Sequence, residues 1–270
     1  MTIVPTAVRT GLWYLRRPAY WEHAAARGLR HLRPERDGAE EVAARAWAEE
    51  RVVTVEQALG DLGLFDPSRG ELPRLPHALL VEATARAAEA QTSMGGPGHL
   101  DLIYAATRLS GAQRAVETGV AYGWSTSAIL AGFGDVSAHL YSVDMPYPRR
   151  GNEPWVGVVV PPELRLRWTL IRRPDRRGLD QAIALAGGVV DLVHYDSDKS
   201  YQGRMYGYRR MYAALAPGGV FLSDDIQDDF GFRDFVTAHA VPFRVTSSGG
   251  KYVGVAVKPG QPRAQSASER

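Results

Sequence analysis

The sequence predicts an α/β fold: a doubly wound, mostly parallel sheet of seven strands behind a helical N-terminal extension. Three observations carry that expectation. From about residue 99, short apolar runs alternate with helix-like segments, the order that builds a parallel sheet covered on both faces. Acids directly follow two of those runs, in Asp196-Ser197-Asp198-Lys199-Ser200-Tyr201 and in Gly218-Gly219-Val220-Phe221-Leu222-Ser223-Asp224-Asp225; the C-terminal ends of parallel strands are where such folds hold ligands. A third run leads into a glycine turn, Glu117-Thr118-Gly119-Val120-Ala121-Tyr122-Gly123-Trp124-Ser125.

In chain order, the first 36 residues hold seven Arg against two acids and include Trp13, Tyr14, Tyr20 and Trp21, whereas residues 37–90 hold 11 acids against five Arg. Ala-rich runs at 39–50 and 78–91, interrupted by Pro34, Pro67, Pro73 and Pro76, predict helices. Residues 1–95 are expected to form an extension that serves as lid, acceptor pocket or dimerisation surface. A basic aromatic helix can lie on a membrane surface or pack on an acidic neighbour. Residues 96–258 are the expected sheet domain. Strands are placed at 114–118, 139–143, 167–171, 189–195, 220–223, 243–246 and 252–257, with a closing hairpin at Gly249-Gly250. Helices are placed at 123–132, 179–186, 201–215 and 230–239. The loop Met145–Pro162, with Tyr147, Arg149, Arg150 and Trp155, is long for a strand–helix connection, as lids often are, and is expected to supply the acceptor pocket together with residues 1–95. The tail 259–270 is rich in Pro, Ser and Gln and is expected to be disordered.

At 270 residues the chain can bury a large core, and a net charge of +2 is too small to imply a nucleic-acid partner. It has no cysteine, hence no disulfide, thiolate metal site or Cys nucleophile. No segment has the length of a membrane span or the pattern of a signal peptide, so a cytoplasmic protein is expected. The seven histidines form no H-E-x-x-H, and no G-x-S-x-G elbow occurs. Among 32 basic residues only Lys199, Lys251 and Lys258 are lysines, which makes a lysine inside an acidic block noticeable.

The glycine turn lets a ligand approach the backbone and ends at a helix N-terminus with free N–H groups. Its glycines are four apart, unlike the G-x-G-x-x-G of nicotinamide binders, which favours a cationic, amino-acid-bearing cofactor. Asp144 ends the second strand, 27 residues after Glu117; it can accept both hydroxyls of a ribose or cap a helix. Asp196, Asp224 and Asp225 lie at neighbouring strand ends and can hold a hard cation such as Mg²⁺, with Lys199 as a proton acceptor. Alternatively Asp224 and Asp225 cap the next helix, Asp228 and Asp229 serve its first turn, and Lys199 pairs with Asp196 or Asp198. His194 reads as a satisfied core histidine.

Taken together, these residues resemble a class I S-adenosylmethionine-dependent methyltransferase over roughly residues 97–258. The acidic blocks are similar to those of cation-dependent O-methyltransferases of the caffeoyl-CoA and catechol type, and of the macrolide-sugar type. The resemblance implies a Rossmann-like methyltransferase sheet. It implies S-adenosylmethionine held by Glu117, Gly119, Tyr122, Gly123, Ser125 and Asp144, with Asp175 near the adenine. It implies Mg²⁺ or Mn²⁺ on Asp196, Asp224 and Asp225, and Lys199 with Asp196 as the catalytic pair. The implied reaction is O-methylation of a small molecule carrying a hydroxyl or vicinal diol, such as a natural-product sugar, by a monomer or homodimer. Two departures stand out: Ala121 replaces the usual middle glycine, and the first 90 residues match no short relative, so no acceptor pocket carries over. Cephalosporin-hydroxylase-like families share E-T-G-V-A-x-G and a D-S-D, and a non-catalytic cofactor-binding scaffold is the other alternative.

Overall fold

The computed structural model describes residues 6–21, 24, 38–145 and 151–260. Arg27, Arg30, Arg33 and Arg36 of the basic segment, Tyr147, Arg149 and Arg150 of the loop, and the tail beyond 260 lie outside the described residues. Seven strands form one sheet: β1 (Arg114–Thr118), β2 (His139–Val143), β3 (Trp168–Ile171), β4 (Val190–Tyr195), β5 (Leu215–Ser223), β6 (Phe243–Ser248) and β7 (Lys251–Val257). Their order is β3-β2-β1-β4-β5-β7-β6. β1 to β5 run parallel, and β7 is antiparallel to β5 and β6.

Side chains alternate across a strand, and both faces here are buried. Ala115, Leu192, Val220 and Leu222 enter one core with the helices Leu100–Ser110 and Trp124–Gly132. Val116, Val193 and Phe221 enter the other with the helices Asp175–Leu185, Tyr201–Ala214 and Gly231–Ala238. Near-continuous apolar strands follow from that double covering. β5 begins at Leu215, earlier than Pro217-Gly218-Gly219 suggests, because Val190 pairs with Leu215 before a register shift restores the Leu192–Val220 pair.

The N-terminal extension is built onto the sheet domain. Val52 forms a parallel bridge with Val245, and Val53 N–H donates to Val245 O at 2.9 Å, on the outer edge of β6. Arg244 Nε reaches Asp61 Oδ2 at 2.7 Å. The helix Gly38–Glu49 stacks Trp47 on Phe243, with ring centroids 5.9 Å apart. Ala58, Leu59, Phe65 and Ala83 join the first core. No helix among the described residues is long and apolar enough to cross a membrane.

Candidate functional site

The C-terminal ends of β1, β2, β4 and β5 form one rim. Backbone bonds continue past the strands: Gly119 N–H donates to Val143 O at 2.9 Å, Asp144 to Ile171 O at 3.0 Å, Asp196 to Thr118 O at 2.9 Å and Asp224 to Tyr195 O at 3.0 Å. These bonds set the glycine turn, Asp144 and both acidic blocks side by side.

Gly119 (φ +82°), Ala121 (φ +47°) and Gly123 (φ +93°) all take left-handed backbone, the conformation glycine adopts freely. Ala121, where the resemblance expects glycine, is therefore in glycine's conformation at a cost of about 1–2 kcal/mol. Its carbonyl accepts from Gly157 N–H at 2.9 Å, and Tyr122 O accepts from Val159 N–H at 3.1 Å. The second half of the Met145–Pro162 loop is thus fastened to the turn, with Val159 and Val160 fully buried. Arg86 Nη1 also reaches Val159 O at 3.3 Å, and Tyr122 Oη donates to Thr92 O at 2.7 Å. These contacts make the extension a wall of the glycine turn.

Glu117 has no exposed surface. Its Oε1 accepts from Ser125 Oγ at 2.6 Å; its Oε2 accepts from Thr126 Oγ1 and Ser142 Oγ, both at 2.7 Å. Three hydroxyls inside the protein thus engage this carboxylate, and Glu117 braces the turn from behind and holds the Ser125 hydroxyl. Asp144, almost buried, pairs with Arg172 Nη1 at 2.5 Å. Burial pushes its carboxyl up to about 6 against the opposing charge of Arg172. Tyr20 Oη donates to Arg172 O at 3.1 Å, which brings the aromatic N-terminal segment to this end of the site. Asp175 accepts from Ser197 Oγ at 2.5 Å.

In the acidic blocks, Lys199 Nζ donates to Asp196 Oδ1 and lies 2.7 Å from Asp225 Oδ2. Burial opposes its charge, but the two carboxylates outweigh burial and hold the ammonium above its ordinary pKa. Lys199 is thus paired with both carboxylates. Asp224 is turned inward, with Oδ1 3.3 Å from His194 Nε2, while His194 Nδ1 stands 3.3 Å from Glu117 Oε1 without hydrogen-bond geometry. Burial alone would lower the His194 pKa, yet the hydrogen bond with Asp224 and the charges of Asp224 and Glu117 push it up to about 10. The buried His194 ring thus stands between Glu117, behind the glycine turn, and Asp224 of the acid pair.

The expected metal set does not assemble. Among the described residues no group of three or more His, Asp or Glu is placed to hold a metal ion. Asp196 and Asp225 both face an ammonium that coordinates nothing, and Asp224 faces an imidazole. This donor set does not fit a divalent cation bound by three carboxylates.

Sequence reasoning missed Arg204. Fully buried, it donates from Nη1 to Asp224 O at 3.0 Å and to Tyr208 Oη at 3.1 Å, and from Nη2 to Asp225 O at 2.7 Å. It clamps the backbone of Asp225, a non-glycine residue at φ +53°. An arginine in the first turns of an Arg-rich chain's helix gives no signal of such a role. His194 did give one: a polar residue inside an apolar run, in register with Glu117 on β1.

No curated protein sequence matches the chain. Residues 116–226 match the family model of a methyltransferase domain. Among solved structures, an O-methyltransferase from Bacillus cereus in complex with SAH is similar at 16% identity, covering 78% of this chain and 100% of that one with a TM-score of 0.53. The O-methyltransferase TomG from Streptomyces achromogenes, involved in Tomaymycin synthesis and solved with SAM, is similar at 16% identity, covering 70% and 92% with a TM-score of 0.50. At these identities the likeness is one of fold: the chain shares the Rossmann-like sheet of these O-methyltransferases, and residues 116–226 carry the match to the methyltransferase domain.

Proposed function

We propose that the protein transfers a methyl group from S-adenosylmethionine to a hydroxyl oxygen of a small molecule, such as a natural-product sugar or another diol. The supporting observation is the convergence on one rim of the left-handed turn 119–123, the Asp144 carboxylate and the Asp196–Lys199–Asp225 cluster. The cofactor fits the first two: the turn keeps side chains away from its backbone, Ser125 presents a braced hydroxyl, and Asp144 offers a carboxylate to a ribose diol. Bound there, S-adenosylmethionine would supply a methyl group activated on a sulfonium.

The chain's own groups do the rest. Asp144 orients the nucleoside, while Glu117 stiffens the turn through Ser125, Thr126 and Ser142. Asp196 is the proton acceptor in this reading: desolvation raises its carboxyl above the usual range against the pull of Lys199, which makes it a stronger base than an exposed aspartate. No step is assigned to Mg²⁺.

Calorimetry tests the reading without knowing the acceptor. S-adenosylhomocysteine should bind the wild type, and Asp144→Ala should weaken it about a hundredfold, the loss of charge-assisted bonds to two hydroxyls. Because the Asp144 carboxyl sits at about 6, affinity should fall about tenfold from pH 7 to pH 5 as it protonates, and Asp144→Asn should abolish that slope. Binding of NAD in place of S-adenosylhomocysteine would overturn the assignment. Methyl-labelled cofactor with a panel of sugars, diols and phenols then shows whether the label arrives on oxygen.

A further inference from the structure

We infer that Lys199 is the resident cation of the acidic cleft, its ammonium standing between Asp196 and Asp225 where the resemblance places a divalent metal. The inference rests on reading the cleft as a methyl-transfer site, and it concerns where the positive charge beside the acceptor oxygen comes from.

Three independent features point the same way. The first is placement: Nζ is bonded to Asp196 and 2.7 Å from Asp225, so one ammonium joins the acids of β4 and β5. Its backbone is fixed on both sides. Asp198 Oδ1 accepts from Ser200 N–H at 3.1 Å and from Ser200 Oγ at 2.8 Å, and Ser200 Oγ caps the next helix through Gly203 N–H at 3.2 Å.

The second feature is the missing third ligand. Asp224 Oδ1 is engaged by His194, and a Cβ on Gly98 would lie 2.7 Å from Asp224 Oδ2, so the chain at Gly98 closes over the other oxygen. Arg204 holds the carbonyls of Asp224 and Asp225 and fixes this divergent pose.

The third feature is chemical economy in the sequence. This chain uses arginine almost throughout and has three lysines in 270 residues. Where Asp196 and Asp225 converge from adjacent strands it carries a lysine. A compact ammonium approaches the size and point-charge character of a metal ion, whereas a planar guanidinium would splay the two acids apart.

An ammonium has three N–H donors. Two are directed at Asp196 and Asp225, and the third is available to the acceptor oxygen. As that oxygen forms its bond to the methyl carbon, the carbon–sulfur bond breaks with its electron pair passing to sulfur. The acceptor's proton goes to Asp196. Lys199 keeps its own protons and stabilises the negative charge that develops on oxygen, the part a Lewis acid would otherwise take.

The test uses Mn²⁺ alone, followed by electron paramagnetic resonance and calorimetry on the full chain, with S-adenosylhomocysteine binding measured in parallel. The wild type should show no saturable Mn²⁺ binding up to about 1 mM, the weak limit of oxygen-ligand sites. Lys199→Met should vacate the cation position and bind Mn²⁺ at least tenfold more tightly, and adding Asp225→Asn should remove the gain. Lys199→Gln gives the same comparison if the methionine variant is unstable. Wild-type Mn²⁺ binding that is lost in Asp196→Asn would overturn the inference, and so would a Lys199 variant as silent as the wild type. A wild type that fails to bind S-adenosylhomocysteine would instead sink the methyl-transfer reading, whatever the manganese result.

Discussion

Replacing His194 by leucine is expected to cost about 3–5 kcal/mol of folding stability, the usual penalty for stranding buried charge. His194 stands 3.3 Å from both Glu117 and Asp224, and all three side chains are essentially inaccessible to solvent. Leucine fills the volume and leaves two carboxylates without their shared cation. Urea denaturation at neutral pH measures the loss. The pH dependence tests the cause. A histidine raised to about 10 in the folded state contributes stability that is complete below its unfolded value near 6.5 and disappears as pH rises through 10. The gap between wild type and His194→Leu should therefore be widest near pH 6 and narrow steadily toward pH 10. A gap independent of pH would mean that the imidazole is neutral and the loss is one of packing.

Gly119→Ala should be the most damaging single methyl group in the cofactor turn. A Cβ there would fall 1.9 Å from Asp196 O, a backbone atom with nowhere to go, and the residue already sits at φ +82°. Relief requires parting the ends of β1 and β4, which moves the turn and the first acidic block together. S-adenosylhomocysteine affinity should fall more than about a hundredfold, and stability by about 3 kcal/mol or more, as strain at a special backbone position adds to overpacking. Gly218→Ala separates the two causes. Its φ is +80° with nothing within 4 Å of the added carbon, so it should cost about 1–2 kcal/mol from backbone conformation alone. Equal penalties at both positions would show that the clash with Asp196 is relieved cheaply.

Sequence pattern located the sheet well because each strand is short, apolar and bounded. Arg114–Thr118 and His139–Val143 are read to the residue, and the hairpin follows from Gly249-Gly250. The helix Leu100–Ser110, which the sequence left unassigned, ends at Gly111 in left-handed backbone, a stop signal that carries weight only once the preceding amphipathic run is recognised. The rim itself was legible, since an acid after a buried strand has few other places to be. Partner choice was not. Whether Asp224 faces a metal or His194, and whether Lys199 is base or counter-ion, depends on side-chain direction at register-matched strands. A one-dimensional pattern carries no such information. Ala121 shows the same limit from the other side: its type argued mildly against the glycine pattern, while its backbone keeps it.

The bridge between Val52 and Val245 joins positions roughly two hundred residues apart, a separation that makes closure slow and late in folding. During synthesis the helix Gly38–Glu49 is made about two hundred residues ahead of its partner Phe243 and the strand that carries it. That helix lies on the 3-10 turn Ile226–Asp228, immediately after Asp225. The support beneath the acid pair therefore comes from a segment that precedes the whole sheet in the chain. The long-range contacts tie the acidic side of the rim to a helix made long before it, so the two ends of the described chain must meet before that side is backed.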